Sequence, residues 1–197
     1  MKASLILDNQ LLEHHPALTD KSVECIVMIE AQDVYKKLPY HIHKLVLLLA
    51  SMRHFRAHVE KKGIKIIYAS LGETPHFAQS LKTIIKENNI KTLSWMKSSD
   101  AEPNQTLTEL ARELKIDHEI YPNQMFVTPE SELLEWFHLH KSPVMENFYH
   151  WQRERTGILM KDNKPVGGRW NYDADNRQPL PKNGIEIPTL RATFGFR

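Results

Sequence analysis

The string KIIYASLGETPHFAQSLKTIIKENNIKTLSW, residues 65–95, decides the fold. It opens on a short β-type run at 65–69 and closes on another at 92–95. Between them, residues 75–88 place Phe77, Leu81, Ile84 and Ile85 on one helical face. Strand, helix and strand in that order make a right-handed crossover between two parallel strands.

The alternation extends in both directions. Upstream, residues 43–62 carry Leu45, Leu48, Leu49, Met52, Phe55 and Val59 at helical spacing, and Gly63 stops the helix. Before it lie two apolar runs. Residues 3–7 end on the polar triplet Asp8-Asn9-Gln10, and residues 23–29 lead into Glu30. Continuous runs of this kind suit strands buried on both faces of a parallel sheet. Downstream, 105–114 reads as a helix and 117–121 as a fifth strand. The expectation for residues 1–128 is a doubly wound α/β domain of Rossmann-like form, with a mainly parallel five-stranded sheet.

Two short helices, 129–140 and 143–155, predict a helical extension over residues 129–156. From Gly157 the character changes. Pro165, Gly167, Gly168, Pro179, Pro181, Gly184 and Pro188 interrupt the chain among Trp170, Tyr172 and Phe194. Proline and glycine at that density exclude regular elements, and the aromatic residues do not belong to a flexible spacer. Residues 157–197 are therefore expected to form an irregular tail that packs on another domain.

Charge and cysteine usage narrow the function classes. The 26 basic and 24 acidic residues nearly cancel, so no global nucleic-acid signal exists. Basic and aromatic residues do interleave in the tail, with Arg153, Arg155, Lys161, Lys164, Arg169 and Arg177 beside Trp151, Trp170 and Tyr172. Interdomain packing accounts for them better than single-stranded nucleic acid, because Asp162, Asp173 and Asp175 dilute the charge. The single cysteine, Cys25, lies mid-strand and cannot build a disulfide framework or an iron–sulfur cluster. The longest strongly apolar run, 45–50, is far short of a membrane span. No signal-peptide core forms before Asp8, so the expected location is cytoplasmic, without membrane contact.

Familiar catalytic motifs are missing: no glycine-rich phosphate loop, no nucleophile elbow. That disfavours a nucleotide-binding enzyme. Of the 11 histidines, the pairs His14-His15, His41/His43 and His138/His140 lack a companion carboxylate pattern, so no metal ligand and no catalytic residue is assigned. Ligands of such sheets bind outside the carboxyl ends of the strands. This directs attention to Asp8-Asn9-Gln10, Glu30 and the segment after Trp95. Asn9 and Gln10 could read the edge of a planar heterocycle or simply make a turn. Glu30 could contact a ligand or sit as a charge near a helix start. By periodicity, Met52 and Phe55 face the core, flanked by Arg53 and His54.

Taken in order, several strings resemble one family. They are Leu5-Ile6-Leu7-Asp8-Asn9-Gln10-Leu11, Met28-Ile29-Glu30-Ala31, Ser51-Met52-Arg53-His54-Phe55, Met145-Glu146-Asn147-Phe148-Tyr149 and Pro165-Val166-Gly167-Gly168-Arg169-Trp170-Asn171-Tyr172-Asp173. The sequence resembles the N-terminal portion of the bacterial photolyase-related proteins, the photolyase/cryptochrome branch that carries an iron–sulfur cluster. The resemblance implies light-dependent repair of ultraviolet-damaged DNA in the full-length proteins. There a C-terminal helical domain holds FAD and the cluster, and an antenna chromophore, a ribityl lumazine, sits in the N-terminal domain. Asn9, Gln10, Glu30 and Met52 become the candidate chromophore contacts. Two departures stand out: Asn9 occupies the place of a usual aspartate, and residues 95–100 lack the family's acidic, tryptophan-containing loop. The partner implied is the FAD-binding helical domain, in cis or in trans, with damaged DNA reached only through it. This stretch alone is then expected to be non-catalytic. The alternative is a stand-alone interaction module that has lost its chromophore and docks on a separate flavoprotein.

Overall fold

The computed structural model describes residues 1–176 together with Pro179 and Gly184. The part of the expected tail that includes Arg177, Pro181, Pro188 and Phe194 lies outside the described residues. Two compact units result, Met1–Trp136 and Phe137–Arg197.

The first unit is an α/β sandwich of three layers. Its strands are β1 (Lys2–Leu5), β2 (Cys25–Ile29), β3 (Ile66–Ala69), β4 (Thr92–Met96) and β5 (Asp117–Tyr121). They form one sheet in the order β3-β2-β1-β4-β5, and every pairing is parallel. The five-stranded doubly wound fold expected from the alternation is therefore the fold found. Two helices escape the sequence reading: α1 (Pro16–Thr19) and α2 (Gln32–Lys36). Each is too short to show a helical period. The longer ones are α3 (Ile42–Lys61), α4 (Phe77–Glu87) and α5 (Ala101–Leu114).

Alternation along the strands divides the core. From β2, Cys25, Val27 and Ile29 meet Leu81 and Ile85 of α4 and Leu107 and Leu110 of α5. Ile26 and Met28 point the other way, onto Met52, Phe55 and Val59 of α3 and Ala17 of α1. Each buried Val, Leu, Ile, Met or Phe side chain among them contributes about 1.5–3 kcal/mol. Burial also pushes the Cys25 thiol up, as expected of an inert strand cysteine. Helix α6 (Glu130–Leu139) follows the sheet. No helix among the described residues is long and apolar enough to cross a membrane.

The second unit is built around Arg153 on α7 (Met145–Thr156). Arg153 is only 6% exposed, and its guanidinium donates to Trp170 O at 2.9 Å, to the Tyr149 hydroxyl at 3.1 Å and to Leu159 O. It also lies over the Tyr149 and Trp170 rings, a cation–π arrangement. Over its described part, the expected irregular tail carries only short regular pieces. A small antiparallel hairpin joins β6 (Met160–Lys161) to β7 (Lys164–Pro165), and a one-turn helix, α8 (Asp173–Asn176), follows. Asp162 and Asn163 both take positive φ, 49° and 57°, which gives a two-residue hairpin its matching twist. Gly167 and Gly168 form the turn expected of them, at φ 82° and 72°. A Cβ on Gly167 would lie 2.2 Å from the Tyr172 hydroxyl oxygen, so a larger residue would have to displace that exposed ring end, and the positive φ favours glycine in any case.

Candidate ligand cleft

The strand order reverses about β1, the one strand that pairs with both β2 and β4. A crevice outside the carboxyl ends of the strands is expected at such a reversal. It is present, as a cleft of about 960 Å³. Ile6, Leu7, Asp8 and Asn9 come from the end of β1, and Tyr35 and Leu38 from α2 and the turn after it. Phe77 opens α4, Ser98 and Asp100 come from the β4–α5 connection, and Glu102 comes from the first turn of α5.

Three aromatic side chains, Tyr35, Tyr40 and Phe77, line the cleft. Lys44 Nζ stands 4.0 Å from the centre of the Tyr40 ring. Asp8 is half-buried, and that burial raises its carboxyl above the ordinary range against the opposing hydrogen bond from Tyr35 and charge of Lys44. Tyr35 is itself buried, which holds its hydroxyl well above its usual range, and the Asp8 charge adds to this. The Tyr35 hydroxyl oxygen also lies 3.3 Å from Met52 Sδ. The Asp8–Tyr35 pair therefore sets polar oxygen atoms beside flat apolar walls. Such a combination suits a planar heterocycle.

The β4–α5 connection is held by amides. Asn104 accepts from Ser98 N at 2.8 Å and donates to the carbonyls of Ser98 and Asp100. Asn123 donates to Lys97 O at 2.9 Å. Across the cleft, Lys37 is ion-paired with Glu102.

With this geometry in view, comparison with known proteins is informative. The model of the family described as "Deoxyribodipyrimidine photo-lyase-related protein" matches residues 4–194. The chain belongs to this family. A (6-4) photolyase of Agrobacterium fabrum is 29% identical over 195 residues, which cover 93% of this chain and 38% of that protein. This photolyase-related chain thus spans well under half the length of that relative. An uncharacterized protein of Acanthamoeba polyphaga mimivirus is 24% identical over 187 residues, covering 90% of this chain and 94% of that protein.

The four contact candidates fall on different layers of this photolyase-related domain. Asn9 is exposed and lines the cleft. Gln10 is buried behind it, and its Nε2 donates to Met96 O at 3.1 Å and Lys97 O at 3.3 Å, fastening β1 to the end of β4. Glu30 is fully buried. Its carboxylate accepts from Arg53 Nε at 2.8 Å and Nη2 at 2.9 Å, from Leu71 N at 3.0 Å and from the Tyr68 hydroxyl. Burial works to raise that carboxyl, but the Arg53, Tyr68 and Leu71 bonds outweigh it and hold it below the ordinary range. Met52 is buried in the core and reaches the cleft only through the Tyr35 hydroxyl. The aromatic lining was not found from sequence. Tyr35 lies in a one-turn helix with Tyr40 after it, and the helical period of Phe77 marks only a core position. An aromatic cluster between the second strand and the long helix was the available signal.

Proposed function

We propose that this chain is the antenna-type α/β module of a photolyase-related protein and that its cleft holds a planar chromophore of the ribityl lumazine class. The supporting observation is the cleft at the strand-order reversal, with Tyr35, Tyr40 and Phe77 as apolar walls and Asp8 with Tyr35 as polar readers. Its volume of about 960 Å³ is ample for a bicyclic ring with a polyol side chain. Asn9 joins the lining directly. Gln10, Glu30 and Met52 act from behind it, fixing the ends of β1 and β2 and the Tyr35 hydroxyl. Repair itself would belong to a flavin, which supplies the electron. The one cysteine of the sequence, buried in β2, cannot hold an iron–sulfur cluster, so no step is assigned to a cluster in this chain. The FAD-binding helical partner is assigned to another domain or another chain.

The test is direct. Protein isolated from its native host should carry near-ultraviolet or blue absorbance, and stripped protein should quench or shift the fluorescence of added dimethyl-ribityllumazine. Phe77→Ala should weaken that binding about tenfold or more, the loss of a large stacked ring being worth more than 1.4 kcal/mol. A colourless protein that ignores added lumazine would remove the antenna reading.

A second reading is favoured by the mimivirus relative, which this chain spans almost end to end. The module could act as a separate chain that docks on a flavoprotein through its second unit. Co-purification with a helical flavoprotein, lost on Trp170→Ala, would select this reading.

A further inference from the structure

We infer that Asp33 is a positioning residue for the cleft: its carboxylate ties the helix that carries Tyr35 to the helix that carries Phe77. It thereby sets the gap between two aromatic walls. The inference rests on the chromophore reading and deepens it, by naming what fixes the slot that would hold the ring. The walls belong to separate elements. Val34 and Tyr35 lie on α2 with Leu38 just after it, whereas Phe77 and Ala78 open α4. Helix α2 has only five residues, and Ala31 before it makes no side-chain cap bond. A helix that short has no stability of its own, so its place must be fixed from outside.

The fixing comes from the start of α4 and the connection before it. The Gln32 N–H donates to Thr74 O at 3.0 Å and the Asp33 N–H to Pro75 O at 3.1 Å. Gln32 Nε2 donates to Leu71 O at 3.2 Å. The Phe77 N–H then donates back to Asp33, to Oδ1 at 3.1 Å and to Oδ2 at 3.2 Å. His76, at the N-cap position of α4, makes no side-chain cap bond. The carboxylate that caps α4 is therefore supplied by the opposite wall, and its charge also suits a helix N-terminus. A serine or aspartate at position 76 would cap α4 locally and leave α2 untied from Phe77. Placing the cap on α2 couples the two walls. His76 Nδ1 stands 3.7 Å from Asp33 Oδ2, but both side chains are exposed, so that pair adds little.

Asp33 also lines the cleft, so the experiment must separate action through Phe77 from contact with the ligand. It uses the full chain, dimethyl-ribityllumazine as the probe and a double-mutant cycle. Asp33→Ala should weaken lumazine binding about fivefold, the size of a lost helix cap. At saturation it should also lower the fluorescence anisotropy of the bound lumazine, because a loosened wall lets the ring rock. Asp33→Asn keeps an acceptor for the Phe77 N–H and should stay within about twofold of the parent. In a Phe77→Ala background, Asp33→Ala should cost less than about twofold further, since the wall it positions is already gone. The positioning role is overturned if Asp33→Ala binds lumazine like the parent. It is equally overturned if the loss is the same with and without Phe77, which would make Asp33 a direct contact. An Asp33→Asn as weak as Asp33→Ala would also overturn it, by assigning the effect to charge rather than to the cap. A parent chain that binds no lumazine is a different result: it removes the chromophore reading and this inference with it.

Discussion

His15 shows how one buried side chain can set the pH response of this fold. Its ring has no solvent exposure, and its Nδ1 accepts from Ala17 N at 3.1 Å, capping α1. Burial pushes its pKa down from 6.5 to about 4. A base held below its unfolded value is neutral in the fold and gains a proton on unfolding. Its stabilising effect is therefore complete above pH 6.5 and is lost as the pH falls toward 4, by about 3 kcal/mol. Glu30 acts in the same direction in a lower window. Its folded pKa is depressed, so its contribution is present above about pH 4.5 and fades as the pH falls through the folded value. The two effects separate by mutation. His15→Asn retains an acceptor for Ala17 N and removes the titration. In urea unfolding it should lose less stability than the parent between pH 6.5 and 4, while keeping the loss below that range. A parental slope in the variant would assign the pH dependence to other groups.

At the scale of elements, stability turns on how each helix ends. Helix α5 stops at Lys115, which adopts the left-handed conformation at φ 53° without being glycine. For a residue with a Cβ that conformation costs about 1 kcal/mol. Lys115→Gly should therefore raise the unfolding free energy by roughly 0.5–1 kcal/mol, measured by urea titration. A loss of stability would mean that the Lys115 side chain contributes more than its backbone costs. The same endings explain what the sequence made legible. The five strands and α3, α4 and α5 were visible because long apolar periods and stop signals such as Gly63 report on burial directly. Helices α1 and α2 were not, since four or five residues cannot display a period. Asp162-Asn163 is a hairpin signal that the surrounding prolines and glycines obscured. The site was half legible for a related reason. A strand end shows where a ligand can sit, which located Asp8 and Asn9. It does not show whether a polar residue there faces the cleft or the fold: Gln10 and Glu30 turn inward to backbone carbonyls and to Arg53. Phe77 shows the converse, a helical apolar position that packs on the core and also lines the cleft.

For the molecule as a whole, the cleft and its lining belong to the unit Met1–Trp136, and Trp170 belongs to the other. That separation gives the proposed ligand a thermodynamic signature. A ligand that binds only the folded state stabilises it by an amount set by its concentration relative to its dissociation constant, about 2.7 kcal/mol at a hundredfold excess. For a chain of this length that corresponds to a rise of about 5–10 °C in melting temperature. Dimethyl-ribityllumazine should produce such a rise in the parent chain. Asp8→Ala and Phe77→Ala should each diminish it, by removing a polar reader and an apolar wall. Trp170→Ala, which touches neither, should lower the starting melting temperature of its own unit and leave the ligand-induced rise intact. If Trp170→Ala abolished the rise while Phe77→Ala preserved it, the chromophore would have to be assigned to a site other than the strand-end cleft.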